Sequence, residues 1–276
     1  MLMMMLRDRA LAAGEDGPRF LQLMGDGTFA NRGGLANSPY IITYQSANSL
    51  SPTSSYVSDD YFGFLEPGMG EHLGDKMAVG VGRIPCSNAA EALDFVTKLE
   101  RYAGAAPPPS NASCGLDAAQ PEKGAWRNRI TFVSDDMDGS GAPTELSHMG
   151  NSDDHAAYLA LEHPEFDVDK IYFDAYPQLS TPGGERYPDA AAAIDRRVEE
   201  GALIVNYIGH GGERGWAHER VLNTSMIRAW DNAYKMPLFM TATCELARFD
   251  DPEVESAGEL MVLNPEGGWC CAFIKN

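Results

Sequence analysis

The chain is poor in basic residues, poor in cysteine and free of long apolar runs, and each shortage closes off a class of function. Only 21 of its 276 residues are Lys or Arg against 40 Asp or Glu, a formal net charge of −19. A surface of that sign repels a phosphate backbone and an anionic leaflet, which argues against a nucleic-acid partner and against docking through a basic patch. The same charge also serves plain solubility. The five cysteines, Cys86, Cys114, Cys244, Cys270 and Cys271, show neither the paired spacing of a zinc site nor the density of a disulfide scaffold. An odd count leaves at least one free thiol in a monomer. The apolar opening at residues 1–6 runs straight into Arg7-Asp8-Arg9, too short for a membrane span or a signal-peptide core. It reads as the tail of an amphipathic helix, so sequence is expected upstream of it. The chain shows no internal repeat. Gly25-Asp-Gly27 lacks the Lys-Ser/Thr of a phosphate loop, and no Gly-x-Ser-x-Gly occurs to supply a serine-hydrolase elbow.

What is present is a globular composition, 44% hydrophobic and 22% charged, in which short apolar runs alternate with helical patterns. Strands are expected at 20–24, 40–44, 77–82, 129–134, 168–173, 202–208 and 237–243, each ending near a turn-forming residue. Helices are expected at 88–102, with Ser87 as N-cap and Gly104 beyond its end, and at 152–162, 188–200 and 224–233. This order predicts an α/β fold with a largely parallel sheet flanked by helices. Residues 104–124 contain Pro107, Pro108 and Pro109 among Ser, Asn and Gly and have no hydrophobic period. They divide the chain into an N-terminal subdomain at 1–106, a linker or long loop at 107–124 and a second subdomain at 125–276.

Two strand ends carry chemistry. The apolar run 202–208 empties into Gly209-His210-Gly211-Gly212, and open α/β sheets place ligands at the C-terminal ends of their strands. A histidine in a tight turn fits the same glycines equally well. The second run, 237–243, ends in Cys244. A cysteine alone is usually a small buried hydrophobe, but here one expected helix separates the two runs. Adjacent parallel strands would then bring imidazole and thiol to one sheet edge, where a nearby imidazolium lowers the thiol pKa and supplies a proton.

Around these residues the sequence resembles the gingipain-type cysteine peptidases. The blocks Tyr207-Ile-Gly-His-Gly-Gly-Glu-Arg-Gly-Trp216 and Thr241-Ala-Thr-Cys-Glu-Leu-Ala-Arg-Phe249 are similar to the family's His and Cys motifs. Gly25-Asp-Gly27, Ser58-Asp-Asp-Tyr-Phe-Gly63 and Val79-Gly-Val-Gly-Arg-Ile-Pro85 follow in the family's order. The resemblance implies a caspase-like fold with Cys244 as nucleophile and His210 as general acid. It further implies an acidic residue orienting His210, for which Asp154 is the choice; the N–H groups of Gly211 and Cys244 are placed to form an oxyanion site. Trp216 is a candidate for the wall of the site, although a tryptophan near a strand end more often packs. Ser152, Asp153 and Asp154 also suit the start of a helix, as cap and first-turn charges. Within the family the likeness is strongest to the PorU-type surface peptidases of type IX secretion, carried by 166–177, 215–222 and 248–252. That implies cargo proteins bearing a C-terminal signal domain as substrates, a surface glycolipid amine as acceptor, other secretion-system components as partners, and a cell-surface or outer-membrane-associated location. By the same likeness the domain is expected to be incomplete at both ends.

No cofactor is required for such chemistry. His148, Asp153, Asp154 and His155 match no zinc signature, and a solvated loop accounts for them as well. Asp59 and Asp60 offer oxygen ligands that suit structural calcium, without the regular spacing of an EF-hand loop. Two other classes stand against the peptidase. One is a serine hydrolase, since His210-Gly-Gly resembles a lipase oxyanion loop; the other is a noncatalytic binding or scaffold module on a degenerate peptidase fold.

Overall fold

Where apolar residues alternate or run together the chain forms strands, and where they recur every three to four residues it forms helices. The computed structural model describes residues 2–29, 40–45, 57–70, 74–104, 123–137, 143–268 and 271–274. Two compact units emerge: Met1–Ala92 with Phe249–Val254, and Leu93–Arg248 with Glu255–Asn276. All but the last two residues of the expected linker 107–124 lie outside the described residues.

In the first unit, helix α1 (Leu2–Ala12) buries no side chain. Strands β1 (Phe20–Met24) and β4 (Gly80–Ile84) pair in parallel, and β2 (Tyr44–Gln45) pairs antiparallel with β3 (Val57–Ser58). Of the strand expected at 40–44, only Tyr44 is in a ladder. Arg83 ties these pieces together. Its guanidinium donates to both oxygens of Asp59, at 2.7 and 2.8 Å, and to the carbonyls of Gly25 and Ile42. It also lies 4.5 Å from the centre of the Phe249 ring. Three sequence blocks singled out above thus meet at one planar, five-donor side chain, which suits Arg and not Lys. The Asp59 carboxylate offered to calcium in the sequence is already engaged by this bidentate pair.

Helix α2 (Ala89–Tyr102) starts as expected, but Asn88 and not Ser87 caps it. The Asn88 Oδ1 accepts the N–H of Ala90 and of Glu91, each at 3.0 Å, while Ser87 donates its own N–H back to Glu91. The pairing is the reciprocal logic of a capping box, moved one residue along.

The second unit is built on a five-stranded sheet: β5 (Arg129–Ser134), β6 (Asp167–Tyr172), β9 (Ile204–Ile208), β13 (Leu238–Ala242) and β14 (Cys271–Ile274), in the order β14-β13-β9-β5-β6. Every adjacent pair is parallel, as the apolar runs predict. Helices α3 (Pro143–Glu162) and α4 (Pro188–Glu200) connect the early strands. The short α5 (Thr224–Ala229) lies between β9 and β13 in sequence, and α6 (Ala257–Leu263) precedes β14. A small hairpin joins β7 (Leu179–Thr181) to β8 (Gly184–Arg186), and β10 (Gly211–Gly212), β11 (Gly215–Trp216) and β12 (Leu222–Asn223) form a three-stranded antiparallel sheet. The core collects Tyr207, Trp216, Trp230 and Phe239, all nearly free of solvent. Tyr207 stacks on Trp216 with centroids 4.3 Å apart, and Trp230 on Phe239 at 5.5 Å. Burying each such ring stabilises the fold by about 2–3 kcal/mol, with a further ~1 kcal/mol for favourable ring geometry. No described helix is long and apolar enough to cross a membrane.

Candidate active site

Three neighbouring strands end together. Ser134 of β5, Ile208 of β9 and Ala242 of β13 share one register line across the sheet. Asp135 follows the first immediately, and His210 and Cys244 each lie two residues beyond the other two. The ladder persists past the strands, with the Asp135 N–H on the Ile208 carbonyl at 3.2 Å and the Gly209 N–H on the Ala242 carbonyl at 3.3 Å. Adjacent strands run about 4.8 Å apart, so equal offsets from a paired register keep the His and Cys backbones close. Both residues are exposed, and Cys244 is a free cysteine, as is the buried Cys86.

His210 is held through its own main chain. Its N–H donates to Asp135 Oδ2 at 2.7 Å, and its carbonyl accepts from the Tyr207 hydroxyl at 2.6 Å and from the Ala217 N–H at 2.8 Å. Gly209 is what lets these groups close in. A Cβ there would stand 2.5 Å from Asp135 Cβ and 2.5 Å from the Tyr207 hydroxyl. Gly215 meets a second requirement, since it adopts φ of +145° and a Cβ would fall 1.9 Å from the Leu222 carbonyl oxygen. Beyond Cys244 the chain turns sharply, with Glu245 at φ of +53°, a conformation uncommon for a residue with a side chain. Gly211 packs over the end of β13, its would-be Cβ 2.5 Å from Thr243 Oγ1, so the two residues expected to form an oxyanion site, Gly211 and Cys244, sit at neighbouring positions.

Two expected site residues are placed otherwise. Among the described residues His210 is contacted by Asp135, Tyr207, Ala217, His148 and His218; Asp154 is not one of them. The reason is helical phase. His148 is half-buried, and Ser152 and Ala156 fully so; spaced four apart, they form the row of α3 that faces inward. Asp154, two positions from Ser152, falls on the opposite, exposed face. Its neighbour Asp153 pairs with Lys170. Trp216 is 0% exposed and sandwiched in the core, so it supports the His loop from beneath and presents no surface to a pocket.

Sequence reading missed Asp135. Burial, reinforced by the charge of Asp136 and opposed by the His210 N–H, holds its carboxyl up at about 6. The carboxylates of Asp135, Asp136 and Glu219 lie within 4.8 Å of one another, as do the ligand atoms of Asp135, His148 and His210. An open cleft of about 750 Å³ adjoins them, lined in part by Asp136, Tyr187, Arg186, His218, Glu219 and Arg220.

The family model for peptidase family C25 matches residues 2–275. The chain belongs to peptidase family C25. Solved structures agree in fold. The Arg specific cysteine proteinase gingipain R (RGPB) superposes with a TM-score of 0.60 at 17% identity, covering 98% of this chain and 50% of that one. The complex of Porphyromonas gingivalis RgpB pro- and mature domains gives 0.60 at 18%, over 99% and 52%. A further protease gives 0.53 at 21%, over 99% and 48%. The C25 chain described here therefore spans about half the length of each of these solved structures, and its fold is the caspase-like one of the gingipains. Among curated proteins nothing matches.

Proposed function

We propose that this C25 chain is the catalytic part of a cysteine endopeptidase, with Cys244 as nucleophile and His210 as the acid that protonates the leaving amine. The observation that supports this most directly is the placement of both residues two steps beyond the paired Ile208 and Ala242, exposed at one edge of a parallel sheet. The thiolate sulfur attacks the scissile carbonyl and forms a C–S bond. The tetrahedral oxyanion is met by the N–H groups of Gly211 and Cys244, and its collapse expels the amine, which takes its proton from the imidazole. Water or a second amine then resolves the thioester. Asp135 and Tyr207 fix the His210 main chain and so act as positioning residues.

For substrate, the sequence likeness at 166–177, 215–222 and 248–252 favours cargo of type IX secretion, cut at its C-terminal signal domain at the cell surface or outer membrane. In this reading a surface glycolipid amine is the acceptor and other secretion components are the partners. The test is incubation of a full-length form and its Cys244→Ala variant with such a cargo, followed by mass analysis of the new C-terminus with and without added amine. Amine-adducted product that depends on Cys244 supports transpeptidation, and hydrolysed product alone leaves a plain peptidase. Equal cleavage by Cys244→Ala removes the assigned nucleophile. Absence of cleavage by either form favours the noncatalytic module.

A further inference from the structure

His148 has no part in the chemistry above, yet it reaches the site. Its ring meets that of His210 edge to face, with centroids 5.1 Å apart. One ligand atom from each of Asp135, His148 and His210 lies within 4.8 Å of the other two. The three come from separate elements: the end of β5, the inward row of α3 and the end of β9. Their burial is graded, with Asp135 buried, His148 half-buried and His210 exposed, so the group is walled on one side and open to solvent on the other. Two imidazoles and a carboxylate form a ligand set for divalent transition ions, zinc above all; calcium, which takes oxygen ligands, is a poor match. Ligands of a tetrahedral zinc stand about 3.4 Å apart for bonds of about 2.1 Å. Atoms within 4.8 Å need inward shifts of about 1 Å, within reach of small side-chain rotations. Asp135 can still serve a cation, since a carboxylate has about four lone-pair sites and the N–H groups of His210, on Oδ2, and Asp136, on Oδ1, use two.

The charge around the group points the same way. Asp136 and Glu219 place two further carboxylates near Asp135, and the chain as a whole carries −19. A cation seated at Asp135 would offset the mutual repulsion of these neighbouring carboxylates.

We propose that Asp135, His148 and His210 form a binding site for a divalent transition-metal ion, zinc by ligand preference, with a remaining coordination position open to solvent. Binding uses a lone pair on one nitrogen of each ring and a carboxylate oxygen, and it releases to solvent any proton those atoms carried. A His210 so engaged cannot protonate a leaving amine, so the ion switches the peptidase off. That consequence rests on the role proposed for His210; the metal site itself does not.

Cobalt(II) titration of the whole chain is the test, because thiolate ligation adds an intense near-ultraviolet charge-transfer band that nitrogen and oxygen ligands lack. The expected result is one cobalt bound, d–d bands without the thiolate band, displacement by zinc, and on the order of tenfold or greater weakening in His148→Ala with an unchanged circular-dichroism spectrum. No saturable binding, a thiolate band, or equal affinity in His148→Ala overturns the site. Zinc is further expected to slow labelling of Cys244 by an electrophilic peptide probe in the wild type and to do so less in His148→Ala. Metal bound without any slowing upholds the site and overturns the role given to His210.

Discussion

Asp135 reaches His210 from the neighbouring strand end, its carboxylate accepting the His210 main-chain N–H at 2.7 Å. With burial lifting the Asp135 carboxyl from 3.8 to about 6, the folded state holds its proton longer than the unfolded chain does. Stability from this group is therefore full below about pH 4, falls as pH rises to about 6, and stays reduced above. The loss is on the order of 3 kcal/mol. Urea midpoints of wild type and Asp135→Asn should converge or cross toward neutral pH; parallel profiles from pH 4 to 7 would contradict the shift.

Gly209→Ala should destabilise by about 1–3 kcal/mol and slow Cys244 labelling, because the added methyl displaces Asp135 and Tyr207 from the His210 main chain. Gly212→Ala is the control, since a Cβ there meets nothing within 4 Å. Equal effects at both positions would show that the clamp has no special place in the site.

Removal of one hydroxyl tests the other half of that clamp. Tyr207→Phe keeps the stack on Trp216 and leaves the His210 carbonyl bonded to the Ala217 N–H, so a loss of about 1 kcal/mol is expected. Chemical denaturation reads the stability. A companion pH profile of labelling should keep its shape while its height falls, as befits a positioning residue; a displaced midpoint would assign Tyr207 a more direct role.

Cys244 should react with an electrophilic peptide probe ahead of Cys86, Cys114, Cys270 and Cys271, and His210→Ala should slow it. Cys86 is buried and its thiol pKa is raised, chiefly by burial, so it is the natural internal comparison. Uniform labelling of every accessible cysteine would remove the thiolate assignment.

Trp216→Ala should cost about 3–5 kcal/mol of stability, because the ring is wholly buried between Tyr207 and Phe239. Thermal or chemical melting checks this. A variant of wild-type stability with altered cleavage preference would return Trp216 to the pocket.

Arg129–Ser134 is legible because it is buried on both faces and reads as an apolar run; Phe20–Met24 also matches its expected bounds, although it lies in a two-stranded sheet and is largely exposed. The rule that picked His210 and Cys244, chemistry at the ends of parallel strands, also points to Asp135 straight after β5. Asp154 was chosen by resemblance, and helix α3 begins well before the expected residue 152, which hid the inward row containing His148. Of the two readings of Trp216, packing is the one the structure supports: sequence proximity to His210 does not say on which side of the turn a ring lies, and the Gly211–Trp216 ladder folds it back into the core. The short β2–β3 and β10–β12 ladders carry too few residues to show a period.

His210 stands on the middle strand of three, and its two flanking partners arrive by routes of different length. Cys244 is brought by a single crossover through α5, whereas Asp135 lies 75 residues before His210, across α3, β6 and α4. Closing a shorter stretch of chain costs less entropy than closing a longer one. The link from β9 to β13 is therefore the cheaper one to close, and the carboxylate that holds the His210 main chain comes from the more distant strand.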